Sequence, residues 1–88
     1  MKKPQVEIYT SILCGYCSLA KSLLKRKQIA YREIDVSFHP KKRREMTART
    51  KGLASVPQIF IGGLHIGGCD DLFALDREGK LDLGLIGK

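Results

Sequence analysis

No stretch of this 88-residue sequence approaches the roughly 18 consecutive apolar residues of a membrane-spanning helix, so neither a transmembrane segment nor a membrane partner is expected. Cysteine is scarce as well. There are three, an odd number and too few for a disulfide scaffold. The opening "MKKPQVEIYT" has two lysines with no apolar stretch behind them, so it does not read as a signal peptide and a cytoplasmic protein is expected. In a reducing compartment a close cysteine pair points to catalysis or metal binding rather than to structure. Repeats, linkers and low-complexity segments are absent, and the length suits one domain over residues 1–88, small but able to build a core. Acidic residues are outnumbered, 9 against 16 basic ones, for a net charge of +7. Two clusters carry part of that charge, Lys25-Arg26-Lys27 and Lys41-Lys42-Arg43-Arg44. The plain reading is a solvated surface; the sharper one is a field that attracts small carboxylates or acidic proteins. The clusters lack interleaved aromatics and no helix-turn-helix or finger spacing occurs, so nucleic acid is not an expected partner.

What is present alternates in period. "VEIYT" (Val6 to Thr10) sets Val6, Ile8 and Thr10 on one face and Glu7 and Tyr9 on the other, a short strand. From Gly15 to about Gln28, Leu19, Ala20, Leu23 and Leu24 recur at helical spacing, with the basic residues in the last turns where the dipole favours them. "IAYREIDV" (Ile29 to Val36) reads as a second strand. His39-Pro40 punctuates, and Lys41 to about Thr50 reads as a basic, exposed helix. "VPQIFI" (Val56 to Ile61) is the densest apolar run, a buried strand entered through a proline. Gly62-Gly63 predicts a tight turn into "LHIGG", and Asp70-Asp71 opens a helix through about Arg77 with acids in its first turn. Gly79 ends it. Leu81, Leu83, Leu85 and Ile86 then supply a last short helix or apolar tail. The order β-α-β-α-β-β-α fits a mixed sheet with helices on both faces.

Cys14 and Cys17 fall where the first strand gives way to the first helix. Cys14 lies at the helix N-terminus, where unpaired N–H groups and the positive dipole end stabilise a thiolate. Its pKa should fall below the ~8.5 of a free cysteine. Cys17 lies one turn in and is more shielded. The pair can close a disulfide, and the difference in shielding assigns attack to Cys14 and resolution to Cys17. A C-x-x-C beside a β-α-β pattern is a redox signature of moderate specificity. Two other readings stand beside it. A zinc site would draw on His65 and Cys69, or on His39, although the pair runs directly into a helix where a zinc knuckle needs a free turn. Two inert buried cysteines are the third.

"CGYC" after "EIYT", followed by "VPQIFIGGLHIGGCDDLFALDREGKLD", resembles a bacterial glutaredoxin, from Val6 to about Leu83. The resemblance implies a thioredoxin-like fold, a central four-stranded mixed sheet flanked by helices. It also implies glutathione dependence and reduction of protein disulfides and of protein–glutathione mixed disulfides. Carried over by position, it makes Cys14 the nucleophile and Cys17 the resolving cysteine. Tyr16 walls the glutathione groove. Val56 precedes a cis-proline, Pro57, and its backbone pairs with the cysteinyl part of glutathione. Cys69 and Asp70 hold the γ-glutamyl carboxylate, Asp71 the γ-glutamyl ammonium, and Arg43 or Arg44 the glycine carboxylate. The residues themselves agree in part, since Gly67-Gly68 lets a ligand approach a helix N-terminus that takes an anion. Plainer roles stand beside these: Tyr16 on the surface, Asp70 and Asp71 as helix caps, Cys69 as packing, Pro57 as a strand entrance.

Two positions depart from the family pattern. Gly15 stands where proline is commonest, and Ser11 where many members have lysine. Loss of that lysine removes a cation near the thiolate, and Lys41 to Arg44 are placed to compensate. Glycine in place of the motif proline also occurs in members that bridge two protomers through a [2Fe-2S] cluster, each supplying its first cysteine and one glutathione. The resemblance therefore carries a second implied function, a cluster carrier that is dimeric when loaded, beside a monomeric oxidoreductase. A third, a reductant served by thioredoxin reductase, is opposed by the "GGCDD" signature.

Overall fold

In the computed structural model, which describes residues 4–81, the first strand β1 (Val6–Thr10) is covered on both faces. Val6 and Ile8 pack with Ala20, Leu23, Leu24, Ile59 and Leu72 on one side. Tyr9 packs with Ile34, Val36, Met46 and Phe60 on the other. Strand alternation thus feeds two cores, one under helices α1 (Gly15–Arg26) and α3 (Cys69–Arg77), the other under α2 (Pro40–Arg49). Strands β2 (Arg32–Asp35), β3 (Gln58–Ile61) and β4 (Leu64–Gly67) complete a four-stranded sheet of order β2-β1-β3-β4. The β1–β2 pair is parallel, with Tyr9 opposite Ile34. The β1–β3 and β3–β4 pairs are antiparallel, with Ile8 opposite Ile59 and an irregularity between Ile59 and Phe60. The element order and the mixed sheet are those the sequence predicts.

The boundaries shift for local reasons. Helix α1 buries Cys17, Ala20, Leu23 and Leu24, whereas Leu19 is 50% exposed. Cys17, not Leu19, completes the apolar stripe. The helix closes at Lys27 with Gln28 at φ 60°, the Gln28 N–H donating to the Lys25 carbonyl at 3.0 Å and the Ile29 N–H to that of Leu24 at 2.9 Å. This is a Schellman closure, and Leu24 and Ile29 both bury their side chains in the same core. Ile29 therefore seals the helix instead of opening the strand, and β2 starts at Arg32. Helix α2 begins at Pro40, which suits the first helical position because its missing N–H would have no partner there. Met46 is its buried residue, as a basic, exposed helix requires.

Pro57 precedes β3 rather than lying in it, and the Val56–Pro57 peptide is cis. Gly62 and Gly63 both have positive φ, 60° and 83°, the conformation of the tight hairpin turn between β3 and β4. Helix α3 starts at Cys69, one residue before the expected Asp70. Past it, Leu81 is buried; Leu83, Leu85 and Ile86, read as part of a terminal helix or tail, lie outside the described residues.

Candidate active site

The loop from β1 to α1 is short and tied down. The Ile12 N–H donates to Ser37 Oγ at 2.7 Å, and the Ser37 N–H donates to Asp35 Oδ1 at 2.8 Å. That backbone bond from Ser37 holds the Asp35 carboxyl below its ordinary range. Cys14 is the N-cap of α1, with extended backbone (φ −110°, ψ 104°), and its sulfur accepts the Cys17 N–H at 3.1 Å. A sulfur thus occupies the position where a cap oxygen ordinarily accepts. The first turn of α1 has no acidic side chain, so the positive end of the helix is left to the sulfur.

Cys14 and Cys17 are joined as a disulfide, their Cα atoms 5.2 Å apart. Cys14 is half-buried and Cys17 only 2% exposed. One sulfur is reachable and capped by backbone N–H; the other is sheltered one turn along. That asymmetry suits a pair in which the first sulfur meets an external partner and the second acts internally.

Beside Cys14 Sγ, 3.9 Å away, lies the Val56 carbonyl oxygen. Val56 in turn lines a cavity of about 320 Å³ that runs between Tyr16 in the first turn of α1, the cis Val56–Pro57 corner and the start of α3. Of the eight residues the resemblance assigns to glutathione, six line it: Tyr16, Val56, Pro57, Cys69, Asp70 and Asp71. Tyr16 is 64% exposed, a rim and not a core residue. Gly67 has φ 127°, and a Cβ there would collide with the Asp71 carboxylate. Asp71 Oδ2 accepts the Gly68 N–H at 3.0 Å, so this carboxylate caps α3 as well as lining the cavity. Cys69 is buried, and burial together with the neighbouring Asp70 charge pushes its thiol above the ordinary value. It is a packing residue whose backbone opens α3.

Arg43 and Arg44 are not brought to this cavity. Arg43 Nη1 donates to the Ala54 carbonyl at 2.9 Å, tying α2 to the loop before β3. Both arginines line a separate shallow surface with Pro40 and Thr47. The basic cluster is legible in the sequence, but which guanidinium is already engaged depends on a loop contact. The zinc alternative finds no support in the geometry: no group of three or more His, Cys, Asp or Glu side chains able to hold a metal occurs among the described residues. His65 Nε2 is instead 2.7 Å from Gln58 Oε1.

Leu53, Ser55 and Gln58 also line the cavity, and no motif in the sequence points to them. Gln58 carried a usable signal, a lone polar residue in the apolar run "VPQIFI". Its Nε2 donates to the Ser55 carbonyl at 3.1 Å, fixing the loop that leads into the cis-proline. Cys14 itself lines a second cavity, about 450 Å³, together with Ile12, Leu13, Cys17, Lys21 and Glu33 among others. There Glu33 Oε2 accepts from Lys21 Nζ at 3.0 Å and from Thr10 Oγ1 at 2.7 Å, and the Lys21 bond foremost holds its carboxyl below the ordinary range.

A cysteine pair at the mouth of the first helix, beside the Val56–Pro57 corner at one end of a β2-β1-β3-β4 mixed sheet, is the arrangement of a thiol–disulfide oxidoreductase of thioredoxin-like fold. The comparisons narrow the class. Residues 6–66 match the glutaredoxin family model. The glutaredoxin of Pseudomonas aeruginosa is 53% identical over 79 residues, 90% of this chain and 93% of that protein. Among solved structures, the solution structure of glutaredoxin from Brucella melitensis is similar with a TM-score of 0.82 at 50% identity, covering 100% of this chain and 96% of that one. The crystal structure of the buckwheat glutaredoxin–glutathione complex is similar with a TM-score of 0.83 at 32% identity, covering 93% and 76%. This chain belongs to the glutaredoxin family.

Proposed function

We propose that the protein uses glutathione to reduce protein–glutathione mixed disulfides and protein disulfides, with Cys14 as nucleophile and Cys17 as resolving cysteine. The setting we propose is the cytoplasm, where the glutathione pool is reducing. The Cys14 thiolate attacks the glutathione sulfur of a mixed disulfide. A Cys14–glutathione disulfide forms, the old S–S bond breaks, and the substrate thiolate leaves with the electron pair and takes a proton from water. A second glutathione thiolate then attacks the glutathione sulfur on Cys14, giving oxidised glutathione and free Cys14 thiolate. On a protein disulfide, Cys17 instead displaces the substrate from Cys14. The products are a dithiol protein and the Cys14–Cys17 disulfide, which two glutathione molecules reduce.

The observation that carries this reading is the cap geometry: a reachable sulfur on a helix N-terminus, 3.9 Å from the carbonyl of Val56, which lines a cavity that reaches a second helix N-terminus. In that cavity the Val56 backbone meets the cysteinyl part of glutathione, and Tyr16 forms the wall. The start of α3 with Asp70 takes the γ-glutamyl carboxylate, and Asp71 faces the ammonium while keeping its cap. Arg43 and Arg44 contribute through the positive field rather than by contact. The glutathione complex of the buckwheat relative supports a groove of this kind. The test is turnover of a small glutathione mixed disulfide. Cys14→Ser should abolish it and Cys17→Ser should keep much of it, because a second glutathione can resolve the adduct. Equal loss in both variants would contradict the scheme.

Gly15 favours a second reading, cluster carriage. It is the first residue of α1, and a Cβ there would meet nothing within 4 Å, so the turn beside Cys14 is open. One chain offers one reachable cysteine there, so a [2Fe-2S] cluster would be held by Cys14 of two chains and two glutathiones. Anaerobic reconstitution followed by visible absorption and size-exclusion chromatography tests it. A coloured dimer lost in Cys14→Ser and weakened in Gly15→Pro supports it; a colourless monomer contradicts it.

A further inference from the structure

Ile12, Leu13 and Phe38 are exposed by 53%, 101% and 77%, and neither core nor groove uses them. The Ile12 N–H bond to Ser37 Oγ, 2.7 Å, brings the β2–α2 loop and its Phe38 to the loop that carries Leu13 and Cys14. Leu13 has φ 56°, a left-handed conformation uncommon for leucine. A bulky apolar side chain is therefore held fully in solvent, directly before the reactive cysteine, by an unfavourable backbone. Ile12 and Leu13 line the second cavity with Cys14, separate from the one lined by Tyr16 and Asp70. Any disulfide that reaches Cys14 has two halves. If one lies in the groove, the other passes over this rim.

The charges around the rim select the kind of partner. Lys41 and Lys42 are exposed on the first turn of α2, just beyond Phe38, and the chain carries a net +7. Of the acids on this side, Glu33 is paired with Lys21, and Asp35 keeps its charge while accepting the Ser37 N–H, so the basic side chains outnumber the acid left unpaired. We propose that Ile12, Leu13 and Phe38 form a docking rim for the polypeptide half of a glutathionylated protein. The segment it selects has an apolar side chain next to the modified cysteine and acidic residues outside it. The rim rests on the glutathione reading above, and it sets specificity among protein substrates without touching the glutathione half.

The experiment compares three substrates: the mixed disulfide of glutathione and 2-mercaptoethanol, and two glutathionylated peptides of equal length. In one peptide leucines flank the cysteine with glutamates outside them; in the other, serines and lysines. Wild type should favour the leucine–glutamate peptide by about tenfold in kcat/KM, as partial burial of apolar side chains implies. Phe38→Ser and Leu13→Asn should each lose most of that preference, asparagine being at ease with positive φ. Both should turn over the mercaptoethanol disulfide within about twofold of wild type. Equal use of both peptides by wild type, or a preference that survives both variants, would overturn the proposal. So would a parallel loss on the small disulfide, which would put the effect on Cys14 itself. A wild-type dimer that Phe38→Ser dissociates would make the rim a contact between copies and overturn it too. Failure of wild type on the mercaptoethanol disulfide would instead overturn the glutathione reading beneath it.

Discussion

Replacing Gly67 by alanine should damage stability and substrate binding together, for reasons that separate. The residue holds φ 127°, a conformation costing a side-chain-bearing residue about 1–3 kcal/mol. A Cβ would also collide with the Asp71 carboxylate, whose Oδ2 accepts the Gly68 N–H at 3.0 Å. Displacing that carboxylate forfeits a helix cap, about 1 kcal/mol. The sum is about 2–4 kcal/mol, out of the roughly 5–10 kcal/mol expected for a domain of this size. In thermal unfolding this is a drop on the order of 10–30 °C. Gly52 is the control. It has φ 110°, and a Cβ there meets nothing within 4 Å, so Gly52→Ala should cost the backbone strain alone. Asp71→Ala should cost the cap alone. In the double variant Gly67→Ala/Asp71→Ala the collision is gone and the cap is lost once, so it should cost about 1 kcal/mol less than the sum of the singles. Gly67→Ala should also raise KM for a glutathionylated substrate, because Asp71 lines the cavity; Gly52→Ala should not. Circular dichroism melts and steady-state kinetics on the four variants check this. Equal behaviour of Gly67→Ala and Gly52→Ala in both assays, with a strictly additive double variant, would refute the reasoning.

Asp70→Ala should raise KM for glutathionylated substrate more than it lowers kcat, since the proposed contact with the γ-glutamyl carboxylate would be made in ground and transition states alike; an unchanged KM with a lower melting temperature would reduce Asp70 to a helix cap. Glu33, held below its ordinary 4.5 chiefly by the hydrogen bond from Lys21, should contribute stability that is fully present above that pH and fades as the pH falls through its lowered folded value. Both partners are partly exposed, so the effect is small and weakens with salt. Glu33→Gln should flatten this part of the stability–pH curve, and an unchanged acid limb would show that the pair does not contribute.

The alternation of Val6 to Thr10, the turn at Gly62-Gly63 and the acids in the first turn of α3 were each enough to place their elements, because each is a local constraint. The cysteine pair was legible from its place at a helix mouth, whereas Tyr16, Val56, Pro57, Cys69, Asp70 and Asp71 were marked only by the family resemblance, and the structure sets them around one cavity. What stayed hidden depends on contacts across the chain. Leu19 looks like a core residue until Cys17 takes that place on the stripe. Ile29 looks like a strand residue until the left-handed Gln28 turns it back onto α1. Arg43 looks free for a carboxylate until the loop before β3 presents the Ala54 carbonyl. The exposure of Leu13 follows from a backbone angle that no periodicity reports.

The central claim is that Cys14 alone carries glutathione during turnover. Mass spectrometry of Cys17→Ser after incubation with oxidised glutathione tests it directly, because the adduct on Cys14 then has no internal thiol to resolve it. The account predicts a single glutathione per chain, mapped by peptide digestion to Cys14, with the buried Cys69 left as a thiol. Modification of Cys69 in place of Cys14, or no adduct at all, would contradict it.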